Sequence, residues 1–277
     1  VIYTLDRISR HYPTRSGGIV RALEDLSLNV GAGEHLALIG RSGAGKSTLF
    51  RHLNVTLRPT TGTLRFDGRD TGTLAGRDLR AIRRRIGTIY QQHHLVPSLT
   101  ALENALCGKL GQWSLFRTLR NTFKPGKAEV AEALHALDLV GLAERRNARA
   151  DELSGGQQQR LAIARMLMQE PDVILADEPV ASLDPALSEA ITSLLVRLAD
   201  EEGRRRTLIV ALHSIDLALR HFPRIVALSG GRVAFDAPPQ AIGGDALAEI
   251  YRGDDSGSDD RGRRDPAPHE LRVNCAS

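Results

Sequence analysis

His35-Leu36-Ala37-Leu38-Ile39-Gly40-Arg41-Ser42-Gly43-Ala44-Gly45-Lys46-Ser47-Thr48 runs from an apolar stretch through a glycine-rich turn to a lysine and two hydroxyls. Residues 35–39 predict a buried strand, and the residues from Lys46 onward predict a helix. The turn between them matches the phosphate-binding pattern G-x-x-x-x-G-K-[ST], which requires a strand before it and a helix after it. Gly40, Gly43 and Gly45 let backbone N–H groups turn inward around phosphate oxygens, and the helix start adds roughly half a positive charge facing the anion. Lys46 is expected to reach the β- and γ-phosphates of a nucleotide and the Ser47 hydroxyl to ligate Mg²⁺, with Ser42 and Thr48 in the same cradle. A plain glycine-rich turn before a helix is the competing reading, and the acidic segment downstream weighs against it.

That segment is Val173-Ile174-Leu175-Ala176-Asp177-Glu178, an apolar strand ending in two carboxylates. In an α/β sheet, ligands sit beyond the carboxyl ends of the strands. Asp177 is therefore placed to hold Mg²⁺, directly or through water. Glu178 is placed to orient and deprotonate an attacking water, a role that contributes about 10²- to 10⁴-fold in rate. His213 ends the next apolar run, 208–212, in the same way. A lone histidine at a strand end is usually structural. Here it falls where the two other phosphate-facing strands also end, so it is read as a γ-phosphate contact that helps to fix the water.

Outward from these motifs the chain alternates. Strands are expected at 2–8, 22–30 and 63–66, with Asp67-Gly68 as a hairpin signal. Residues 100–169 read as helices, 130–137 among them, followed by a strand at 173–176, a helix at 187–200 and a strand at 208–212. A hairpin through Gly230-Gly231 closes the ordered part. Strands alternating with helices imply a parallel sheet covered on both faces. From Arg252 the chain is Asp, Gly, Ser, Arg and Pro with few apolar residues, so 252–277 is expected to be a disordered tail.

Composition sets the remaining bounds. The chain has 277 residues with 42% hydrophobic and 25% charged content, enough for a substantial core. Its net charge of +4 does not call for a nucleic-acid partner. The longest apolar runs, 173–176 and 208–212, fall far short of the ~20 residues that cross a bilayer, and 1–10 does not read as a signal peptide. Cys107 and Cys275 are expected to be reduced thiols of a cytosolic protein, since Cys275 lies in the polar tail. Any membrane must be supplied by a partner.

Leu153-Ser154-Gly155-Gly156-Gln157 narrows the class. Ser154 and Gln157 make an S-x-x-Q capping box at the start of a helix reaching Met168, and Gly155 and Gly156 leave its first amides uncovered. This is a second anion-binding helix end on a chain that carries one phosphate loop. A head-to-tail pair of copies resolves the surplus: the loop of one binds the nucleotide, and the Ser154 helix of the other closes over its γ-phosphate.

The segment resembles the signature motif of ABC ATPases. The resemblance covers about residues 1–250 and implies an α/β fold: a P-loop NTPase (RecA-like) core with an N-terminal antiparallel β lobe and an inserted α-helical lobe at about 92–168, all within a nucleotide-binding domain of 1–251. It implies ATP and Mg²⁺ as ligands. It further implies that Tyr12 stacks on adenine, that Gln91 contacts Mg²⁺ and water and links the site to the membrane partner, and that Asp184 in Ser182-Leu183-Asp184 couples the two sites. The implied assembly is an ATP-sandwich dimer of two copies on two transmembrane permease subunits, at the cytoplasmic face of the cell membrane, served by a periplasmic or lipoprotein substrate-binding protein.

The finer similarity is to the ATP-binding subunit of phosphonate importers. It rests on residues 90–96, on Pro179-Val180-Ala181-Ser182-Leu183-Asp184-Pro185 and on a long insert after Leu106. Importers of other solutes and exporters are the alternatives. A soluble ABC ATPase of DNA repair or translation usually carries two cassettes or a long coiled coil, and neither is present. The insert, 108–128, holds Lys109, Arg117, Arg120, Lys124 and Lys127 and no acid, with Trp113, Phe116, Leu119 and Phe123 at near-helical spacing. It reads as a short basic amphipathic helix, packed on its own lobe or facing anionic headgroups or the channel subunit.

Overall fold

A computed structural model describes residues 1–14, 17–92, 94–113, 125–181, 183–201, 203–244 and 247. The expected tail, most of the basic insert (Phe116, Arg117, Leu119, Arg120, Phe123 and Lys124 included), Ser182 and Cys275 lie outside them.

The N-terminal lobe is a four-stranded sheet in the order β2-β1-β4-β5. Its strands are β1 (Tyr3–Pro13), β2 (Ile19–Val30), β4 (Thr61–Phe66) and β5 (Arg69–Asp70), all antiparallel. The Asp67-Gly68 turn joins β4 to β5 with φ of 51° and 75°. Both central residues thus adopt the left-handed backbone that the expected hairpin turn requires. β1 and β2 run past the expected strand ends as a hairpin whose register shifts three times between Leu5 and His11.

The second sheet has six strands in the order β10-β9-β3-β8-β7-β6. They are β3 (His35–Ile39), β6 (Ile86–Ile89), β7 (Val173–Asp177), β8 (Thr207–Ala211), β9 (Arg224–Ser229) and β10 (Arg232–Ala237), parallel except for β10. Their alternation divides the interior in two. Leu36, Leu38, Val173, Leu175, Ile209 and Ala211 join the core shared with the N-terminal lobe, which includes Tyr3 and Phe66. Ala37, Ile39, Ile174, Ala176, Leu208 and Val210 join the core on the opposite face, where the helices pack. Burial on both faces explains why these strands read as continuous apolar runs.

The helices are α1 (Lys46–Leu53), α2 (Gly76–Arg84), α3 (Ala101–Leu106), α4 (Lys127–Leu139), α5 (Gly155–Leu167), α6 (Pro185–Ala199) and α7 (Ile215–His221). α3, α4 and α5 pack together through Ala101, Ala105, Ala133, Ala136, Leu137 and Leu161. Small side chains there let the helix backbones approach closely. Caps set the helix starts. Thr100 and Glu103 form a capping box on α3, Ser154 and Gln157 one on α5, and Asp184 with Pro185 opens α6. Lys109 is buried among carboxylates, paired with Glu132 at 2.8 Å and with Glu170, which ties the helical lobe to the turn entering β7.

Candidate functional site

Three adjacent parallel strands end level with one another. Leu38 of β3 and Asp177 of β7 both register against Ala211 of β8. The residues that follow, Gly40–Lys46, Glu178 and His213, therefore emerge side by side at one edge of the sheet. This is the expected position for a ligand site in such a sheet.

The loop after β3 is shaped by its glycines. Gly45 has φ of 104°, and a Cβ there would lie 2.5 Å from the Ala22 carbonyl oxygen, so only glycine lets the loop rest on β2. Gly43, with φ of 82°, has nothing within 4 Å of its Cβ position, which leaves the crest of the loop bare. No side chain caps the start of α1. Its first amides are left for an anion. Ser42 and Ser47 are exposed and Thr48 is half-buried along this rim, while Gly40 is buried against β9.

Lys46 is 4% exposed. Its Nζ donates to the carbonyl oxygens of Gly40 at 2.7 Å and Arg41 at 3.2 Å, and lies 3.6 Å from Glu178 Oε1. The same Glu178 oxygen is 2.7 Å from His213 Nε2. Glu178 has φ of 51°, a left-handed conformation rare for a residue with a side chain, and it directs the carboxylate between the lysine and the histidine.

Asp177 is the electrostatic anomaly. Burial pushes its pKa up to about 6, and the Glu178 charge pushes the same way. A hydrogen bond from Ser47, with Lys46 and His213, pulls in the other direction without cancelling the rise. Its Oδ1 is buried with no hydrogen-bond partner. An orphaned carboxylate oxygen beside a serine hydroxyl is a hard-oxygen donor pair that fits a small divalent cation whose other ligands are phosphate oxygens and water. Among the described residues there is no cluster of three or more His, Cys, Asp or Glu side chains able to hold a metal alone.

The sign of the Asp177 shift gives a stability test. A carboxyl whose folded-state pKa is raised favours the folded state only while protonated, so its contribution is lost as pH rises from about 4 through about 6. Asp177→Asn is expected to raise the Tm of the nucleotide-free protein at pH 7.5 by several degrees, on the order of 2–3 kcal/mol, with the gain vanishing near pH 4. The same variant should lose the extra Tm that Mg²⁺ adds to ATP. Scanning calorimetry at both pH values decides it, and a lower Tm for the variant at pH 7.5 would contradict the assignment.

The remaining expected site residues stand on other elements. Tyr12 lies on the β1–β2 hairpin and Gln91 is exposed beyond the end of β6. Ser154 caps α5, accepting from Gln157 N at 3.4 Å, while Ser154 N donates to Gln157 Oε1 at 3.0 Å. Gly155 faces open space. Gly156 packs on α6, where a Cβ would lie 2.4 Å from Leu187 Cδ2. Asp184 Oδ1 accepts from Leu187 N at 3.0 Å. One leucine thus joins the Ser154 loop to the Asp184 cap, a link that neither motif suggests in the sequence. Among the described residues no hydrogen bond or ion pair links Ser154, Gln157 or Asp184 to Lys46, Glu178 or His213. A separate cleft of about 580 Å³ is lined by Arg80, Arg83 and Arg84 of α2 and Arg165 of α5, with half-exposed Val96 and Leu110 beside them.

Residues 23–181 match the family model described as ABC transporter. A curated relative from Anaeromyxobacter dehalogenans, named Phosphonates import ATP-binding protein, is 46% identical over 91% of this chain, which spans 48% of that relative's length. A relative of the same name from Alcaligenes faecalis is 45% identical over 85% of this chain and 84% of its own. The dimeric structure of a post-hydrolysis state of an ATP-binding cassette, bound to ADP and Pi, superposes with a TM-score of 0.74 at 33% identity, over 87% of this chain and all of that one.

Proposed function

This chain belongs to the ABC transporter family, and on that premise we propose that it is the ATP-hydrolysing subunit of an importer of phosphonates or related phosphorus oxyanions. The observation that carries the reading is the string Lys46–Glu178–His213 at the level ends of β3, β7 and β8, beside Asp177 and an uncapped helix start. The names of the relatives support the importer and its substrate class.

The loop amides and the start of α1 receive the ATP phosphates. Lys46 exchanges the Gly40 and Arg41 carbonyl oxygens for phosphate oxygens. Ser47 and Asp177, with Gln91, are the residues that would hold Mg²⁺, which when bound neutralises phosphate charge as the β–γ bond breaks. Glu178 orients the attacking water and takes its proton at a carboxylate oxygen. His213, within hydrogen-bonding distance of that carboxylate, holds it and the γ-phosphate in place. The site is closed by the Ser154–Gln157 helix end of a second copy, with Asp184 coupling the two sites. The domain is taken as 1–251, with the helical lobe at about 92–168 and 252–277 as a tail.

Two transmembrane permease subunits complete the transporter, with this chain peripheral at the cytoplasmic face of the cell membrane and a substrate-binding protein on the far side. No described helix is long and apolar enough to span a bilayer. The arginine-lined cleft suits an acidic, partly apolar cytoplasmic segment of a permease subunit. Charge reversal of Arg80, Arg83 and Arg84 to Glu is expected to cut recovery of the complex with its permease subunits at least tenfold, on the order of the loss expected for several interfacial ion pairs. Recovery equal to the parent protein would remove the cleft from the interface. The function itself is tested by uptake of a radiolabelled phosphonate into cells expressing the complex. The parent chain restores uptake and Glu178→Gln does not; uptake of other solutes only would overturn the substrate class.

A further inference from the structure

The reading of Tyr12 as the base platform leaves Arg10 unexplained. The Arg10 guanidinium carbon lies 4.7 Å from the centre of the Tyr12 ring, covering one of its faces. One guanidinium nitrogen is anchored by donating to the Arg58 carbonyl oxygen at 3.2 Å. Its Nε is buried and has no hydrogen-bond partner, and neither does the buried Tyr12 hydroxyl. A buried N–H left unsatisfied is unfavourable. Among the described residues the Tyr12 ring and the Arg58 carbonyl are thus the contacts that hold the guanidinium.

Across the hairpin, Tyr12 registers against Val20, so the two side chains share a face of the sheet. Val20 is 40% exposed, an apolar surface beside the ring. The guanidinium thus covers one face of the half-buried Tyr12 ring, and Val20 adds an exposed apolar flank beside it.

We propose that Arg10 is a positioning residue for the nucleotide base, acting through the Tyr12 ring. The inference rests on the reading of Tyr12 as the stacking residue. Two physical effects support it. The cation–π contact holds the ring in one orientation before the base arrives, so less rotational freedom is lost on binding. The cation also draws π density toward itself, which leaves the outward face better matched to an electron-rich purine. Stacking accepts any base, so the effect does not select adenine over guanine.

The experiment is a double-mutant cycle on nucleotide affinity in the full chain, measured by isothermal titration with a non-hydrolysable ATP analogue, the GTP analogue and inorganic tripolyphosphate. Arg10→Ala is expected to weaken both nucleotides about two- to fivefold, the range of an exposed cation–π contact, and to leave tripolyphosphate unchanged. Arg10→Lys should keep part of the affinity. In a Tyr12→Ala background, or Tyr12→Leu should that fold better, Arg10→Ala should cost nothing further. Tyr12→Phe should bind as the parent does, because the hydroxyl has no partner to lose.

A loss that extends to tripolyphosphate, or persists without the ring, would show that Arg10 acts on the phosphates or on the fold, and the proposal fails. No loss on Arg10→Ala also ends it. If Tyr12→Ala itself leaves nucleotide affinity unchanged, the stacking role of Tyr12 is what fails.

Discussion

Lys46→Ala is expected to weaken Mg-ATP binding by between thirty- and a thousandfold, read by isothermal titration. The side chain is buried, its Nζ is held on Gly40 and Arg41 carbonyl oxygens, and its charge already faces a carboxylate. A charge-assisted contact to phosphate in such a place is worth about 2–4 kcal/mol, which converts to that range of affinity. Lys46→Arg should not rescue it, since the planar guanidinium does not fit the carbonyl cage of an ammonium. A Kd within threefold of the parent would displace Lys46 from the phosphate site.

Glu178→Gln is expected to lower kcat by about 10²- to 10⁴-fold, the range for losing a positioned general base. ATP affinity should hold or increase. Glu178 lies 3.6 Å from Lys46, close enough for its charge to compete with phosphate for the ammonium. Glutamine removes that competing charge while keeping the shape of the side chain. Steady-state turnover and titration on the same preparation separate the two effects. A kcat within tenfold of the parent, or affinity lost together with turnover, would mean that Glu178 serves the fold rather than the water.

Much of the site was legible because its signals are local. The strand at 35–39, the glycine loop and the start of α1 are contiguous, and the apolar runs before Asp177 and His213 are strands buried on both faces. The Ser154–Gln157 box and the Asp67-Gly68 turn are short-range hydrogen-bond and dihedral signatures, and both are present. α2 and β6 are not singled out by the sequence. α2 is arginine-rich with Ile82 as its one buried residue, and β6 is a four-residue strand containing Gly87. That glycine is needed because a Cβ would lie 2.7 Å from Met166 Cγ, a tertiary reason with no local trace.

The Lys46–Glu178 pair and the packing of Gly156 on Leu187 are likewise contacts between segments far apart in the chain, whereas the guanidinium over Tyr12 comes from the same strand, where residue spacing alone does not show that the two side chains meet. Residue types suggested who would attend the site. The level ends of β3, β7 and β8 bring Lys46, Glu178 and His213 together in one chain, and the proposed sharing with a second copy concerns Ser154, Gln157 and Asp184.

That division is open to a single measurement. Sedimentation equilibrium of the Glu178→Gln protein should give the mass of one chain without nucleotide, twice that mass with saturating Mg-ATP, and one chain again when Ser154→Arg is added. A protein that binds Mg-ATP fully and stays at the mass of one chain at high concentration, with its permease subunits present or absent, would contradict the shared site.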